Sequence, residues 1–255
     1  MALGPITIHF YALAILLGII AAIFIGRARY KAHGGRPEEI NEIAVYVIPA
    51  GIIGGRLYHL ATSPDAYFGA HGHPWDALKI WQGGLGIWGA VAVGTIVTYF
   101  LFTRQERSLP FPAFADALAP ALLIAQAIGR WGNWFNAELF GKPSNLPWAL
   151  SIPFAKRPAG YENFATFHPT FLYESIWCIA AALILMRVNW FAARFGTGSI
   201  FLGYLCLYTL GRLWIEALRI DTAHILWGLR LNIWVSLIVF LTSTAMLIRR
   251  NRTVR

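Results

Sequence analysis

Long apolar runs alternate with short polar segments along most of the chain. A hydrocarbon core of about 30 Å takes roughly 20 mostly apolar residues in helical form. Seven stretches qualify: 6–25, 43–61, 84–102, 111–128, 169–187, 199–218 and 231–248. Arg56 interrupts the second, Asp116 the fourth, and Arg212 with Glu216 the sixth. Each still has strongly apolar flanks and counts as a span. The first run has no basic segment or small-residue cleavage site before it, so it reads as a mature span. There is no internal repeat and no low-complexity segment. The pattern predicts an all-α polytopic membrane bundle of seven transmembrane helices, with 1–255 as a single integral membrane domain.

The segments between spans set the expected orientation, because short cytoplasmic loops collect Lys and Arg. With the N-terminus outside, the cytoplasmic segments carry Arg27, Arg29, Lys31, Arg36, Arg104, Arg107, Arg187, Arg194, Arg249, Arg250, Arg252 and Arg255. The opposite side carries fewer cations over more residues. The N-terminus is therefore expected outside and the C-terminus in the cytoplasm. The one long connection, 129–168, then becomes an extracytoplasmic head or lid over the bundle, since loops beyond about 12–15 residues are often functional. Trp131, Trp134 and Trp148 are suited to anchoring it at the membrane interface.

Composition sharpens this picture. Hydrophobic residues make up 57% of the chain and charged ones 13%, about half the charged share of a soluble domain. The net charge of +9 lacks the basic stripe with interleaved aromatics that nucleic acid would call for. It sits between apolar runs and suits anionic lipid. Cys178 and Cys206 lie inside apolar runs with no metal-ligand spacing and read as packing residues. His59, His71 and His73 cluster among Gly and Pro, which makes a loop a better reading than a metal site.

Charges inside a bundle are functional candidates, because burying one costs at least about 2.5–3.5 kcal/mol on insertion scales. In GRWGNWFNAELFG, Arg130, Asn133, Asn136 and Glu138 fall close together at the end of the fourth span, with Gly129 and Gly132 placed to let backbone approach a ligand. The planar donor fork of Arg suits phosphate; the bland alternative is an arginine snorkelling to the headgroups. In the sixth span Tyr208, Arg212 and Glu216 recur at i, i+4 and i+8 on one helix face. They form either a self-satisfied ion pair or a second cation converging with Arg130 on one anionic headgroup. Tyr11, Arg56, His168, Tyr173 and Glu174 add polar groups in or beside apolar runs, while Tyr58 and Asp116 read as bundle-packing hydrogen bonds.

Taken in order, GPITIHFYAL, GGRLYHL, the Gly129–Gly141 block, HPTFLYE and GRLWIEALR resemble the prolipoprotein diacylglyceryl transferase family from end to end. The resemblance implies transfer of the diacylglyceryl group of phosphatidylglycerol to the lipobox cysteine of a prolipoprotein, releasing glycerol phosphate. It implies a bacterial inner-membrane enzyme acting at the outer leaflet. Its essential arginines match Arg130 and Arg212, and further positions match Tyr11, Asn133, Glu138 and Gly141. We accordingly expect Arg130, Arg212, His168 and Tyr11 to act in catalysis. We expect Arg130, Asn133, Asn136, Glu138, Gly141, Arg56 and Glu216 to bind phosphatidylglycerol. Trp88 stands where many members carry a histidine of an H-G-G element, as in actinobacterial forms, so a histidine base does not transfer to that position. His168, beside Pro169, is the remaining histidine expected on the right side.

Displacing a phosphate ester by sulfur builds negative charge on the departing phosphate, which fixed cations stabilise. No metal or redox cofactor is expected. The expected partners are phosphatidylglycerol, lipobox peptides and membrane lipids. A transporter or channel built on an intramembrane Arg/Glu site is the alternative from another class; it predicts repeats or broken helices at the midplane, and the polar residues here collect near one end.

Overall fold

The computed structural model describes residues 2–3, 6–7, 10–69, 72–80, 83–187 and 195–253, with side chains from residue 10 to 250. His71, Trp81, Gln82, Arg194 and Arg255, with Gly4, Pro5, Ile8 and His9 of the first block, lie outside the described residues. Seven described helices are long and apolar enough to cross a membrane. They are α1 (Phe10–Ala32), α2 (Glu38–Thr62), α3 (Ile87–Arg104), α4 (Phe111–Asn136), α5 (Thr170–Arg187), α6 (Ser199–Leu218) and α7 (Leu231–Thr253). The chain is an all-α, multi-pass membrane protein.

Each predicted run is present, but several ends move, two of them by seven or more residues. Helix α1 continues through Arg27, Arg29 and Lys31, good helix formers that the apolar count left out. Helix α4 continues through Asn136, so Arg130, Asn133 and Asn136 belong to its last two turns rather than to the connection. The glycines there serve α1 instead of a ligand. A Cβ on Gly132 would lie 2.7 Å from Tyr11 Cδ2, and one on Gly18 would lie 2.9 Å from the Ala125 carbonyl oxygen. Small residues thus let α1 and α4 approach closely.

The chain forms two compact units, Met1–Arg29 with Pro112–Arg255, and Tyr30–Phe111. In the second, α2 and α3 touch backbone to backbone, since a Cβ on Gly54 or Gly89 would strike the other's carbonyl oxygen. The ring of Tyr58 packs over Gly86 and its Cβ over Gly89, a packing contact in place of the expected hydrogen bond. In the first unit, Leu123 and Ala127 of α4, Cys178 and Ala182 of α5, and Ile200 and Tyr204 of α6 form a dry core. Cys178 is buried there, and Cys206 lies 3.1 Å from Ser243 Oγ. Asp116 accepts N–H bonds from Gly198 (2.5 Å) and Phe201 (2.8 Å), so a carboxylate on α4 caps the start of α6.

Beyond α4 the chain builds a small hairpin before α5. Strands β3 (Leu150–Ser151) and β4 (Thr166–Phe167) pair antiparallel, over a core of Phe140, Ile152 and Phe167. A second hairpin, β5 (Ile225–Leu226) with β6 (Leu229–Arg230), joins α6 to α7. A third short pair, β1 (Ala2–Leu3) with β2 (Ile6–Thr7), precedes α1. Gly141 links the first hairpin to the end of α6. It donates its N–H to His168 O (2.9 Å) and bridges to Arg219, while Lys142 N–H reaches Leu218 O (2.9 Å).

Candidate active site

The ends of α4 and α6 and the start of α5 bring three charged side chains together. Glu174 sits in the second turn of α5. Its Oε1 pairs with Arg130 Nη2 at 2.8 Å and its Oε2 with Arg212 Nη1 at 3.0 Å. Two guanidiniums from different helices therefore share one buried carboxylate. Tyr208, one turn before Arg212, faces both arginines and Glu174, and stacks on Tyr204.

Arg212 also pairs with Glu216, one turn on, so the i, i+4 spacing is realised as an ion pair. Glu216 has no exposed surface. It additionally accepts from Arg230 Nε (2.8 Å), Arg219 Nη1 (3.4 Å) and Asn232 Nδ2 (3.2 Å). Asp221 closes the network, taking Arg219 at 2.7 Å and Arg230 at 2.9 Å. Partial burial pushes its carboxyl upward, but the hydrogen bonds and charge of Arg219 and Arg230 prevail and hold it below the usual range. Four arginines thus face three carboxylates. The ion-paired groups alone carry one surplus positive charge, which Glu138 of the adjoining group offsets, and Arg130 is the most accessible cation. The Arg130 side chain is 23% exposed, against 12% or less for the other three arginines.

Arg130 leads to a second group. Its Nη1 lies 3.5 Å from Asn133 Oδ1, Asn133 Nδ2 donates to Glu138 Oε1 (3.0 Å), and Asn136 Nδ2 donates to the same oxygen (3.1 Å). The backbone turn that presents Glu138 is a helix C-cap. Glu138 N–H returns to Asn133 O and Ala137 N–H to Trp134 O, the 6→1 and 5→2 bonds of a Schellman turn. The left-handed residue is Ala137 (φ 49°) where glycine is usual, and Leu139 (φ 57°) repeats the strain on the other side. Such residues cost of order 1–3 kcal/mol each. Thr170 Oγ1 donates to Leu139 O and so helps hold the turn. Glu138 opens onto a cavity of about 540 Å³, with Asn136, Leu139, Lys156 and Asp221 among its walls. Tyr11 of α1 packs against Gly132, close enough to Glu138 and Arg130 to feel both charges.

His168 stands at the foot of the hairpin, its Nδ1 3.0 Å from Tyr173 Oη. Trp148 Nε1 can only donate, and donates to the same Oη at 3.1 Å. Tyr173 Oη thus accepts from Trp148 and shares one hydrogen bond with His168 Nδ1, donating the proton when the ring proton is on Nε2.

The structure therefore groups Tyr11, Arg130, Asn133, Asn136, Glu138, Arg212 and Glu216, and gives other positions different surroundings. Gly141 is buried; a Cβ there would meet His168 Cβ at 2.9 Å and Thr170 Cγ2 at 3.0 Å, so glycine is needed for the chain to cross. Arg56, in the second unit, points its donors at backbone. Nε reaches Ala77 O (2.7 Å), Nη1 reaches Gly83 O (2.7 Å) and Gly84 O (3.0 Å), and Nη2 reaches Asp76 O. Its guanidinium lies 5.1 Å from the Tyr67 ring centroid. Trp88 is half-exposed in the first turn of α3. The sequence reading missed the shared counter-ion role of Glu174 and the roles of Arg219, Asp221, Arg230 and Asn232. Only Arg219 left a signal, three residues beyond Glu216.

Against known proteins, residues 1–249 match the family model described as prolipoprotein diacylglyceryl transferase. A relative from Streptomyces coelicolor, named phosphatidylglycerol–prolipoprotein diacylglyceryl transferase 2, is 52% identical over 248 residues, 96% of this chain and 77% of its own length. Proteins with the same transferase name follow from Streptomyces griseus (48% over 250 residues, 96% and 74%) and Cutibacterium acnes (49% over 249 residues, 96% and 82%). These actinobacterial relatives agree with the variant that Trp88 suggests. With a match that runs through all seven spans and the arginine cluster alike, the chain belongs to the prolipoprotein diacylglyceryl transferase family.

Proposed function

We propose that the chain transfers the diacylglyceryl group of phosphatidylglycerol to the cysteine thiol of a prolipoprotein lipobox, forming a thioether and releasing glycerol phosphate. The open guanidinium of Arg130, fixed beside Arg212 on one shared carboxylate, carries this reading. A phosphodiester headgroup brings one negative charge, and the departing phosphate monoester brings more. Guanidiniums held in place and aimed at that growing charge therefore stabilise the transition state more than the ground state.

In the reaction the sulfur forms a bond to the glycerol carbon while the carbon–oxygen bond to phosphate breaks, and its electron pair stays on the phosphate. Arg130 is assigned to the phosphate, with Asn133, Asn136 and Tyr11 around the headgroup. Arg212 supplies the second cation. Glu174 and Glu216 act through the arginines, holding both forks in place, since neither has surface to offer a lipid. Gly141 and Arg56 contribute by shaping backbone, and His168 orients the substrate through its Nε2 proton. The arginine field also lowers the thiol pKa, which is ordinarily about 8.5.

The seven spans act as one domain in the bacterial inner membrane, with the N-terminus and the 129–168 connection extracytoplasmic and the C-terminus cytoplasmic. Reporter fusions after Arg36, Glu106, Phe195 and Arg255 should read cytoplasmic and one within 143–160 should read outside; a cytoplasmic signal from the last would refute this arrangement. The activity is tested by mixing purified protein, phosphatidylglycerol and a lipobox peptide. The peptide should gain the mass of one diacylglyceryl group, and a peptide that gains nothing or gains an acyl chain alone would refute the transfer.

A further inference from the structure

We infer that Glu138 is the group that takes the proton from the attacking thiol; the inference rests on the transfer reaction proposed above. The observation is an asymmetry among the carboxylates of the site. Glu174 is buried between two guanidiniums. Glu216 is fully buried under Arg212, Arg219, Arg230 and Asn232. Asp221 is held by Arg219 and Arg230. An oxygen already neutralised by a guanidinium is a poor proton acceptor.

Glu138 differs in three respects. Its partners are neutral amides, and both donate to the same oxygen, Oε1, at 3.0 and 3.1 Å. Its other oxygen, Oε2, accepts no hydrogen bond from the described residues. Its side chain is exposed on the cavity wall. Asn133 holds Oε1 while its own carbonyl lies 3.5 Å from Arg130 Nη1, so the free oxygen sits one amide away from the cation assigned to the phosphate. The strained turn between Ala137 and Leu139 fixes this placement, as strain does at functional sites. His168 is a weaker candidate, because its Nδ1 is already engaged by Tyr173 Oη at 3.0 Å.

The step balances without a further reactant. The S–H proton passes to Glu138 Oε2, sulfur bonds to the glycerol carbon, the phosphate leaves with the electron pair of the broken carbon–oxygen bond, and the carboxyl releases its proton to solvent through the cavity. A carboxylate is a modest base for a thiol, and the field of Arg130, which favours thiolate, narrows the gap.

The test compares Glu138→Gln with wild type on a lipobox peptide carrying cysteine and on the same peptide carrying selenocysteine, whose selenol ionises at neutral pH without a base. Phosphatidylglycerol vesicles supply the lipid, and the product is read by mass. We expect Glu138→Gln to lose about 10²- to 10⁴-fold on the thiol, to recover as pH rises through the thiol range, and to stay within about tenfold of wild type on the selenol. Glu138→Asp, which keeps a carboxylate, should retain more thiol activity than Glu138→Gln and should check that the turn survives substitution. Equal loss on thiol and selenol, or no loss on the thiol, would overturn the assignment while wild-type activity leaves the transfer reaction standing. Wild type inactive on both peptides would overturn the reaction and the assignment together.

Discussion

Arg56 and Arg130 look alike in the sequence, each an arginine in or at the end of an apolar helix, yet they are neutralised in opposite ways. Arg56 is 7% exposed, and its partners are four backbone carbonyls and an aromatic face. Four of its five N–H groups are engaged by neutral acceptors, and Asp76, Ala77, Gly83 and Gly84 turn their carbonyls toward it. Arg130 shares the carboxylate of Glu174 with Arg212 and keeps part of its guanidinium open. A carbonyl cage commits most of the donors to the fold and leaves a single N–H for a ligand. A shared carboxylate fixes the geometry of two cations and leaves their sum positive. The type of counter-group, more than burial, separates a structural arginine from one poised for an anion.

The largest effect that would sharpen this contrast is loss of the cation pair. Arg130→Ala or Arg212→Ala should lower turnover by at least about 10²- to 10³-fold, the usual cost of removing a group aimed at transition-state charge, measured by peptide mass in vesicles. Near-normal turnover in Arg212→Ala would make that arginine structural like Arg56. Next, His168→Asn, whose amide N–H falls on the Nδ1 side, should lower turnover by about ten- to a hundred-fold, and His168→Gln, whose amide N–H falls near the Nε2 side, should retain more of it. Unchanged turnover in His168→Asn would remove the histidine from the reaction.

Smaller effects test the supporting structure. Asp221 is held below the ordinary carboxylate range by Arg219 and Arg230 after opposing burial. Its contribution to stability is therefore complete above the unfolded value of about 3.9 and lost as pH falls through the lower folded value. Hydrogen exchange of residues 221–230 should accelerate only below about pH 4, and Asp221→Asn should abolish that dependence. Smallest, Ala137→Gly should raise stability by up to about 1 kcal/mol, because the left-handed position suits glycine. A loss of stability instead would show that the Ala137 side chain is needed for packing.

The spans were legible because apolar length and membrane thickness fix them almost alone. Their ends were not. The apolar count stopped α4 before Arg130, whereas the helix continues because that charge meets Glu174 and the flanking glycines meet α1. The i, i+4 pair of Arg212 and Glu216 was readable, being local. Glu174 was visible only as one polar residue among several, since its meeting with Arg130 and Arg212 depends on how three helices pack. Arg56 and Arg130 were inseparable for the same reason, as nothing in GGRLYHL tells that Ala77, Gly83 and Gly84 will turn their carbonyls inward.

The decisive measurement sets Arg130→Lys beside Arg56→Lys, comparing turnover per folded molecule and melting temperature in the same vesicles. A lysine point charge keeps the sign but not the fork. Arg130→Lys should melt close to wild type and lose at least about a hundred-fold in turnover. Arg56→Lys should keep most of its turnover per folded molecule and melt lower by about 5–10 °C, as charge-assisted hydrogen bonds to carbonyls are lost. An Arg130→Lys enzyme that turns over normally, or an Arg56→Lys enzyme that melts normally but no longer uses phosphatidylglycerol, would contradict the division between the two arginines.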